Sequence, residues 1–256
     1  MEGEGALSTQ SIDIPARAAL DLERRFFFHV AVICVVVAFA GFVSRYFAPI
    51  AAGTFAARTL VHLHGLVMWT WMLLFAWQAW LATHGRLRRH RAFGMAGIAL
   101  FTLAVWLGIS VALLQLDQQI VAGDGNRARA FVALPLSLAL AMMVLFTAAL
   151  FNAKRPEAHA RLMLLVTLVA LTPALARLVG DAVGTGPHPR NPVVAGVIVL
   201  VVVGYAAARD VRIRGGVHPA YLYGGGFVAV VLLARSTLNR TDAWYGAADA
   251  LRTLVY

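Results

Sequence analysis

Seven apolar runs separated by short polar segments dominate this sequence. The runs lie at residues 26–47, 59–83, 92–114, 130–151, 162–179, 193–208 and 220–234. A helix needs roughly 20 largely apolar residues to cross a bilayer, because each residue rises about 1.5 Å and the hydrocarbon core is about 30 Å thick. The pattern therefore predicts an all-α polytopic membrane helical bundle with about seven transmembrane helices.

The composition supports this class. Of the 256 residues, 61% are hydrophobic and 13% are charged, whereas soluble domains contain about 45–50% apolar and about 25% charged residues. The segments between the runs are too short for a separate soluble domain. We predict a cytoplasmic N-terminal tail at 1–25, a seven-helix transmembrane domain at 26–236 and an outer C-terminal tail at 237–256.

Basic residues exceed acidic ones, giving a formal net charge of +10. In a soluble protein this excess would suggest nucleic-acid binding, but here the arginines cluster in the gaps between apolar runs. The positive-inside rule and anionic lipid headgroups both favour that placement. The densest basic cluster, residues 86–91, contains no acid. We therefore predict a cytoplasmic N-terminus, a bacterial inner-membrane location, contact with the lipid bilayer and no nucleic-acid partner.

The histidines are the candidate ligands for any metal or haem, because the single cysteine, Cys34, lies inside the first apolar run. His90, His159 and His218 each stand at the start of a predicted helix on the cytoplasmic side. At helical spacing, three glycines share the face of His90, and a glycine-floored groove admits either a flat macrocycle or a neighbouring helix. These glycines are Gly94, Gly97 and Gly108.

The second run carries polar residues that a lipid-facing helix would avoid. His64, Trp71 and Gln78 recur every seven residues and therefore share one face, which we predict to point into the bundle. His62 is about 200° away around the helix, so we expect it to face the lipid headgroups.

Arginines also gather near the outer helix ends. Arg177 is followed by Asp181 at i+4, a spacing that predicts an ion pair. Together with its neighbours, Arg177 is a candidate for holding an anionic group such as a haem propionate. The alternative is an arginine whose side chain extends to the membrane surface.

Residues 62–94 resemble a group of uncharacterised bacterial multi-pass membrane proteins. The shared features are a His-x-His-Gly helix, an aromatic span that contains Gln, a basic turn and then His-Arg-x-x-Gly. The resemblance covers about a third of the chain and implies the topology more than an activity.

A further resemblance is to the transmembrane diheme cytochromes b, in which alternate helices ligate a haem through histidine. His90 and His159, two helices apart on one side, fit that pattern and are the predicted metal ligands, with His218 in reserve. His64 has no histidine partner in the fourth run, so an outer haem would need His188 or a methionine as its second ligand. The resemblance therefore implies at most one inner haem b.

The residues leave several functions open. The first is a membrane electron-transfer protein with one b-type haem or, alternatively, a histidine-only metal centre. The second is a non-redox accessory or scaffold subunit that packs against partner membrane subunits or a second copy of the chain. The third is a small-molecule carrier. No nucleophile or zinc-protease motif points to a hydrolase, so whether the protein is an enzyme stays open.

The orientation is directly testable by cysteine-accessibility labelling. A cysteine placed near Arg88 should react only with reagents that reach the cytoplasm, and one near Gly186 only with impermeant reagents added outside. The opposite pattern would reverse the predicted topology.

Overall fold

The computed structural model describes residues 16–188 and 190–255. Within this part the chain forms nine α-helices and two π-helical turns. The α-helices are α1 (Ala16–Phe42), α2 (Ala48–Ala51), α3 (Thr59–Thr83), α4 (Leu87–Val121), α5 (Gly125–Phe151), α6 (Pro156–Ala182), α7 (Asn191–Arg214), α8 (Gly226–Leu238) and α9 (Asp242–Thr253). The π-helical turns are Val43–Phe47, between α1 and α2, and Ala220–Gly225, which precedes α8.

The all-α membrane fold is confirmed. In the described part, seven helical segments are long and apolar enough to cross a membrane, and they contain the seven runs seen in the sequence. Several of them extend past the apolar run by one or two turns, because a helix continues into the headgroup region where polar side chains are solvated. The protein is a multi-pass membrane protein. The segments are Leu22–Ala51, Thr59–Thr83, Leu87–Val121, Gly125–Phe151, Pro156–Ala182, Asn191–Arg214 and Ala220–Leu238.

The central helix is α6, which packs against α1, α5 and α7. Pro156 is its first residue, a position where the missing proline N–H costs no hydrogen bond. Nearly every side chain from Arg161 to Thr172 is buried, as expected of a helix surrounded by other helices. The remaining spans follow one another around α6, with α3 packed between α1 and α4.

We call the end of the bundle that carries Arg24 and Arg88 the inner end, and the opposite end the outer end, after the predicted orientation. The turn between α3 and α4 lies at the inner end and depends on Gly85, whose φ of +67° suits a residue without a Cβ. This tight turn brings the last turns of α3 alongside the first turns of α4, where His90 lies.

Both predicted tails contain helical residues in the part of the chain that the structure describes. Residues 1–15 of the N-terminal tail lie outside the described residues, whereas 16–25 already belong to α1. The C-terminal tail contains α9, an amphipathic helix with Ala248 fully buried. This helix packs on the outer ends of α4 and α5 through two ion pairs, Arg252 with Asp117 and Arg129 with Asp249, both at 2.8 Å.

Gly41 marks a close approach of α1 to α6. A Cβ at this position would lie 2.4 Å from the carbonyl oxygen of Ala174, which is backbone and cannot move aside easily. We expect Gly41→Ala to destabilise the protein by about 1–3 kcal/mol, because overpacking forces the two backbones apart. Thermal unfolding in detergent measures the effect.

Gly204→Ala is the matched control, because a Cβ at Gly204 meets nothing within 4 Å. That substitution should be neutral or slightly stabilising through helix propensity. Equal effects of the two substitutions would contradict the close contact between α1 and α6.

Candidate functional site

His90 is held in one orientation by a reciprocal contact with α3. Its Nδ1–H donates to the carbonyl oxygen of Gln78 at 3.2 Å, and the Gln78 side-chain amide donates to the carbonyl oxygen of His90 at 3.0 Å. Because a carbonyl oxygen only accepts, Nδ1 carries the proton in this arrangement. In the neutral ring, Nε2 then keeps its lone pair.

His159 repeats this arrangement in the next helical hairpin. Its Nδ1–H donates to the carbonyl oxygen of Ala149, near the end of α5, at 2.9 Å. The same tautomer results, with an unprotonated Nε2. Both rings are half-buried, and each closes the inner end of its own hairpin, α3–α4 for His90 and α5–α6 for His159.

The bundle brings these two histidines together. Their ring centroids lie 6.3 Å apart, and the ring planes are 85° from parallel. The two rings come from helices that share few direct contacts, and both lie close to the helix starts at the inner end. They are the two histidines that the sequence predicts as an axial pair.

The predicted glycine-floored groove beside His90 is occupied by α3. A Cβ at Gly94 would lie 3.6 Å from the Gln78 side chain, and one at Gly97 would lie 3.3 Å from Leu74. The glycines therefore serve the close packing of α3 on α4, which was one of the two alternatives. They do not provide an open surface next to His90.

An aromatic cluster lies at the centre of the bundle. Phe101 and Phe146 stack with centroids 3.8 Å apart, and the buried Trp71 packs against both, at 5.2 Å and 5.7 Å. These side chains come from α4, α5 and α3 and form a rigid apolar layer between the two ends of the bundle.

The predicted face of α3 does point into the bundle. Trp71 is only 3% exposed, and His64 lies against Gly108 of α4, where a Cβ would be 3.3 Å from the imidazole. Within the described residues, the His64 Nδ1, the Trp71 Nε1 and the Gln78 Oε1 are buried without a hydrogen-bond partner. His62, on another face, hydrogen-bonds to Tyr46 at 3.0 Å in an aromatic cluster, and its contact with lipid headgroups stays a prediction.

Arg177 lies at the outer end, near His64 and far from the inner histidine pair. Its Nη1–H donates to the carbonyl oxygen of Pro173 at 2.9 Å, and its guanidinium lies 4.4 Å from the centre of the Phe42 ring. The predicted ion pair with Asp181 is wrong, because Asp181 instead pairs with Arg45 at 3.1 Å and accepts a hydrogen bond from Ser44. Arg177 therefore lies on the side of α6 that faces α1.

His218 adopts the opposite tautomer from the inner pair. Its Nδ1 accepts the backbone N–H of Ala220 at 3.1 Å, so the side chain caps the helical segment that follows. Burial lowers the pKa of His218 below its usual value, and the nearby Arg161 lowers it further against the opposing effect of Asp210. In this neutral ring Nε2 carries the proton, so His218 lacks the free lone pair that an Nε2 ligand needs.

A buried network of charges at the inner end was missed by the sequence analysis. Arg161 is fully buried and donates to both oxygens of Asp210, at 2.8 Å and 2.7 Å, while also pairing with Glu23. Arg214 pairs with Glu23 at 2.9 Å and with Glu157. The network joins α1, α6 and α7.

The spacing of acids and arginines in the sequence indicates part of this network. Asp210 and Arg214 are four residues apart on one helix, and Glu157 and Arg161 repeat that spacing on another. The positive-inside rule explained the arginines as surface residues and left the acids unassigned. Acids at the ends of apolar runs point to partners within the bundle, because an unpaired charge there is costly.

Arg161→Gln should destabilise the protein by about 3–5 kcal/mol, because it leaves the Asp210 carboxylate buried without its partner and removes one of the two arginines that pair with Glu23. Thermal unfolding in detergent measures the loss. Arg212→Gln, which changes an exposed arginine of α7, is the control and should be close to neutral. A similar Tm for both variants would contradict the buried network.

Comparisons with known protein families, with curated proteins and with solved structures found no match. The geometry of the chain's own residues therefore carries the functional proposal.

Proposed function

We propose that this membrane protein binds one b-type haem at its inner end, with His90 and His159 as the axial ligands, and that it transfers electrons. The observation that carries the proposal is the spacing of the two imidazole rings together with their shared tautomer. The orientation with a cytoplasmic N-terminus, and the location in a bacterial inner membrane, are part of the same proposal.

The ring spacing suits two ligands on opposite sides of one iron. A metal–nitrogen bond is about 2 Å long, and the centre of an imidazole lies about 1.2 Å from its nitrogen, so two histidines on opposite sides of one iron would have ring centroids about 6.4 Å apart. The observed separation is 6.3 Å. The angle of 85° between the planes is compatible with ligation, because each ring can rotate about its own metal–nitrogen bond.

The hydrogen bonds of the two rings also suit ligation. Metal-ligating histidines usually donate their second ring N–H to a carbonyl or a carboxylate, which fixes the tautomer and orients the lone pair. His90 and His159 both donate Nδ1–H to a backbone carbonyl. The Nε2 atom of each ring stays free for a metal.

Haem suits this pair better than a bare metal ion. In the described part of the chain, no group of three or more His, Cys, Asp or Glu side chains is arranged to hold an ion. A haem iron takes four nitrogens from its macrocycle and needs only two from the protein. When bound, it would supply one-electron exchange between its ferric and ferrous states.

The residues around His90 and His159 would affect the binding and the reduction potential of a haem held there. Arg91 lies close enough to His90 to affect it electrostatically, and it belongs to the basic start of α4 where propionates of an inner haem would find cations. Arg177 lies at the outer end, so its predicted role in holding an anionic group there is separate from the inner pair. The apolar layer around Trp71 would exclude water from the outer side and so raise the reduction potential.

The scaffold alternative has an observation of its own. The Nδ1 hydrogen bonds of His90 and His159 close the inner ends of two hairpins, which is a structural role that needs no cofactor. Under that interpretation the protein acts as an accessory subunit or packs against a second copy of itself. The two interpretations differ in whether the Nε2 atoms have a ligand.

Absorption spectroscopy of protein purified from haem-replete cells tests the proposal. We expect a Soret band that shifts on reduction in the wild type and is lost in His90→Ala and in His159→Ala. His84→Ala, which changes an exposed histidine at the same end, should keep the band.

A folded wild-type protein without a Soret band would overturn the haem proposal and favour the scaffold interpretation. Metal analysis of the same sample distinguishes the scaffold interpretation from a histidine-only metal centre. A bound copper or zinc ion would indicate the metal centre. Circular dichroism and size-exclusion chromatography establish that each variant is folded.

A further inference from the structure

Two adjoining cavities follow the contact between α1 and α3 at the inner end. The first has a volume of about 460 Å³ and is polar, and the second, about 260 Å³, is apolar. We call them the inner cleft and the apolar groove. The inner cleft is lined by Arg24, Arg25, His29, Thr83 and His84. The apolar groove is lined by Phe28, Leu73, Ala76, Trp77 and Trp80.

The linings of the two cavities are neighbours on both helices. On α1, Phe28 lies one turn beyond Arg24 toward the membrane centre, since residues four apart share a face. On α3, the ring of Trp80 contacts that of His84, with centroids 4.3 Å apart. Each helix therefore presents one face that changes from polar to apolar as it enters the membrane.

The inner cleft is strongly basic. Its lining residues include two arginines and two histidines and no acid. The neighbouring acid, Glu23, faces the other way and pairs with Arg161 and Arg214. The cleft thus offers two arginine side chains to a ligand.

One wall of the inner cleft is formed where the end of α3 contacts α1. The Thr83 hydroxyl donates to the carbonyl oxygen of Ala79 within α3 at 2.8 Å, and its oxygen lies 3.2 Å from the carbonyl oxygen of Arg24, so the end of α3 contacts α1 here. A third cation, Arg86, lies 4.8 Å from the centre of the Trp80 ring, beside the junction of the two cavities. The contact between Thr83 and Arg24 therefore closes one side of the inner cleft.

The apolar groove has a flat aromatic wall that is open to lipid. Trp77 and Trp80 stack with centroids 4.7 Å apart and planes 11° from parallel. Trp77 and Leu73 are 40% and 55% exposed, which places them on the outside of the bundle. A wall of this kind accommodates an extended hydrocarbon chain.

We infer that the inner cleft and the apolar groove together bind one anionic phospholipid of the cytoplasmic leaflet. Its phosphate would lie against Arg24 and Arg25, and an acyl chain would lie along Trp77 and Trp80. Basic pockets between transmembrane helices on the cytoplasmic side are suited to anionic headgroups, and arginine is well matched to phosphate oxygens. The inference depends on the predicted orientation and is independent of haem.

Brominated lipids provide the test, because bromine on an acyl chain quenches nearby tryptophan fluorescence. The full-length protein is reconstituted in nanodiscs of phosphatidylcholine with increasing fractions of brominated phosphatidylglycerol or brominated phosphatidylcholine. The quenching that disappears in the Trp77→Phe/Trp80→Phe variant reports the apolar groove. We expect this component to saturate at a lower fraction of phosphatidylglycerol than of phosphatidylcholine.

The Arg24→Gln/Arg25→Gln variant should lose this preference, with roughly a tenfold or greater fall in relative affinity, as expected when charge-assisted hydrogen bonds to phosphate are removed. Arg88→Gln/Arg89→Gln is the control, because it removes the same charge from exposed positions of the inner end outside the cleft. The control should keep the preference. Arg24→Lys/Arg25→Lys should keep part of it.

Three results would overturn the inference. They are no preference for the anionic lipid in the wild type, an equal loss in both glutamine variants, and a preference that does not weaken with added salt. The salt series uses the wild type alone, so it decides the matter even where the Arg24→Gln/Arg25→Gln variant does not fold.

Discussion

The arrangement of the bundle depends on one buried cation. Removing a guanidinium from water costs several kcal/mol, and the cost is recovered only when the geometry is close and every donor has a partner. Each of the three guanidinium nitrogens of Arg161 has a partner: two donate to Asp210, one of these also pairs with Glu23, and the third donates to the carbonyl oxygen of Glu157 at 2.9 Å. The three helices that supply these groups can therefore pack in only one register at the inner end.

That register positions the candidate site. His159 lies two residues before Arg161 on α6, so the ion pairs that fix Arg161 also fix the first turn of α6. His90 is fixed independently by the short α3–α4 turn and by Gln78. The separation of the two imidazoles thus results from two separate constraints, one electrostatic and one from backbone hydrogen bonding. Neither constraint involves the imidazole Nε2 atoms.

The number and positions of the spans could be predicted because hydrocarbon thickness dictates a long apolar run, and such runs are visible in any window of the sequence. The inward face of α3 could be predicted for the same reason, since lipid excludes Gln78. Helix α9 was missed because its apolar face is too narrow to form a run, although its period is helical. Its docking depends on Asp117 and Arg129, which are far away in sequence.

The spacing of residues in the sequence could not predict which side chains pair with one another at the site. Arg177 and Asp181 have the right separation for an ion pair, yet Asp181 binds Arg45 from α1's π-helical turn, because tertiary packing brings a second arginine closer. The glycines of α4 were correctly interpreted as a face of close approach, but the sequence could not say whether a helix or a cofactor fills it. Helix α3 fills it in the described structure.

The structural role of His90 and His159 and their proposed ligand role do not compete. Each hairpin contact uses Nδ1, which leaves the second nitrogen of the ring available. A ring already fixed in tautomer and orientation loses little freedom when it binds a ligand, so the contacts that close the hairpins would also lower the entropic cost of ligation. His218 illustrates the contrast, because its Nδ1 accepts a hydrogen bond and its Nε2 must hold the proton. The three inner histidines thus look equivalent in sequence and differ in the direction of one hydrogen bond.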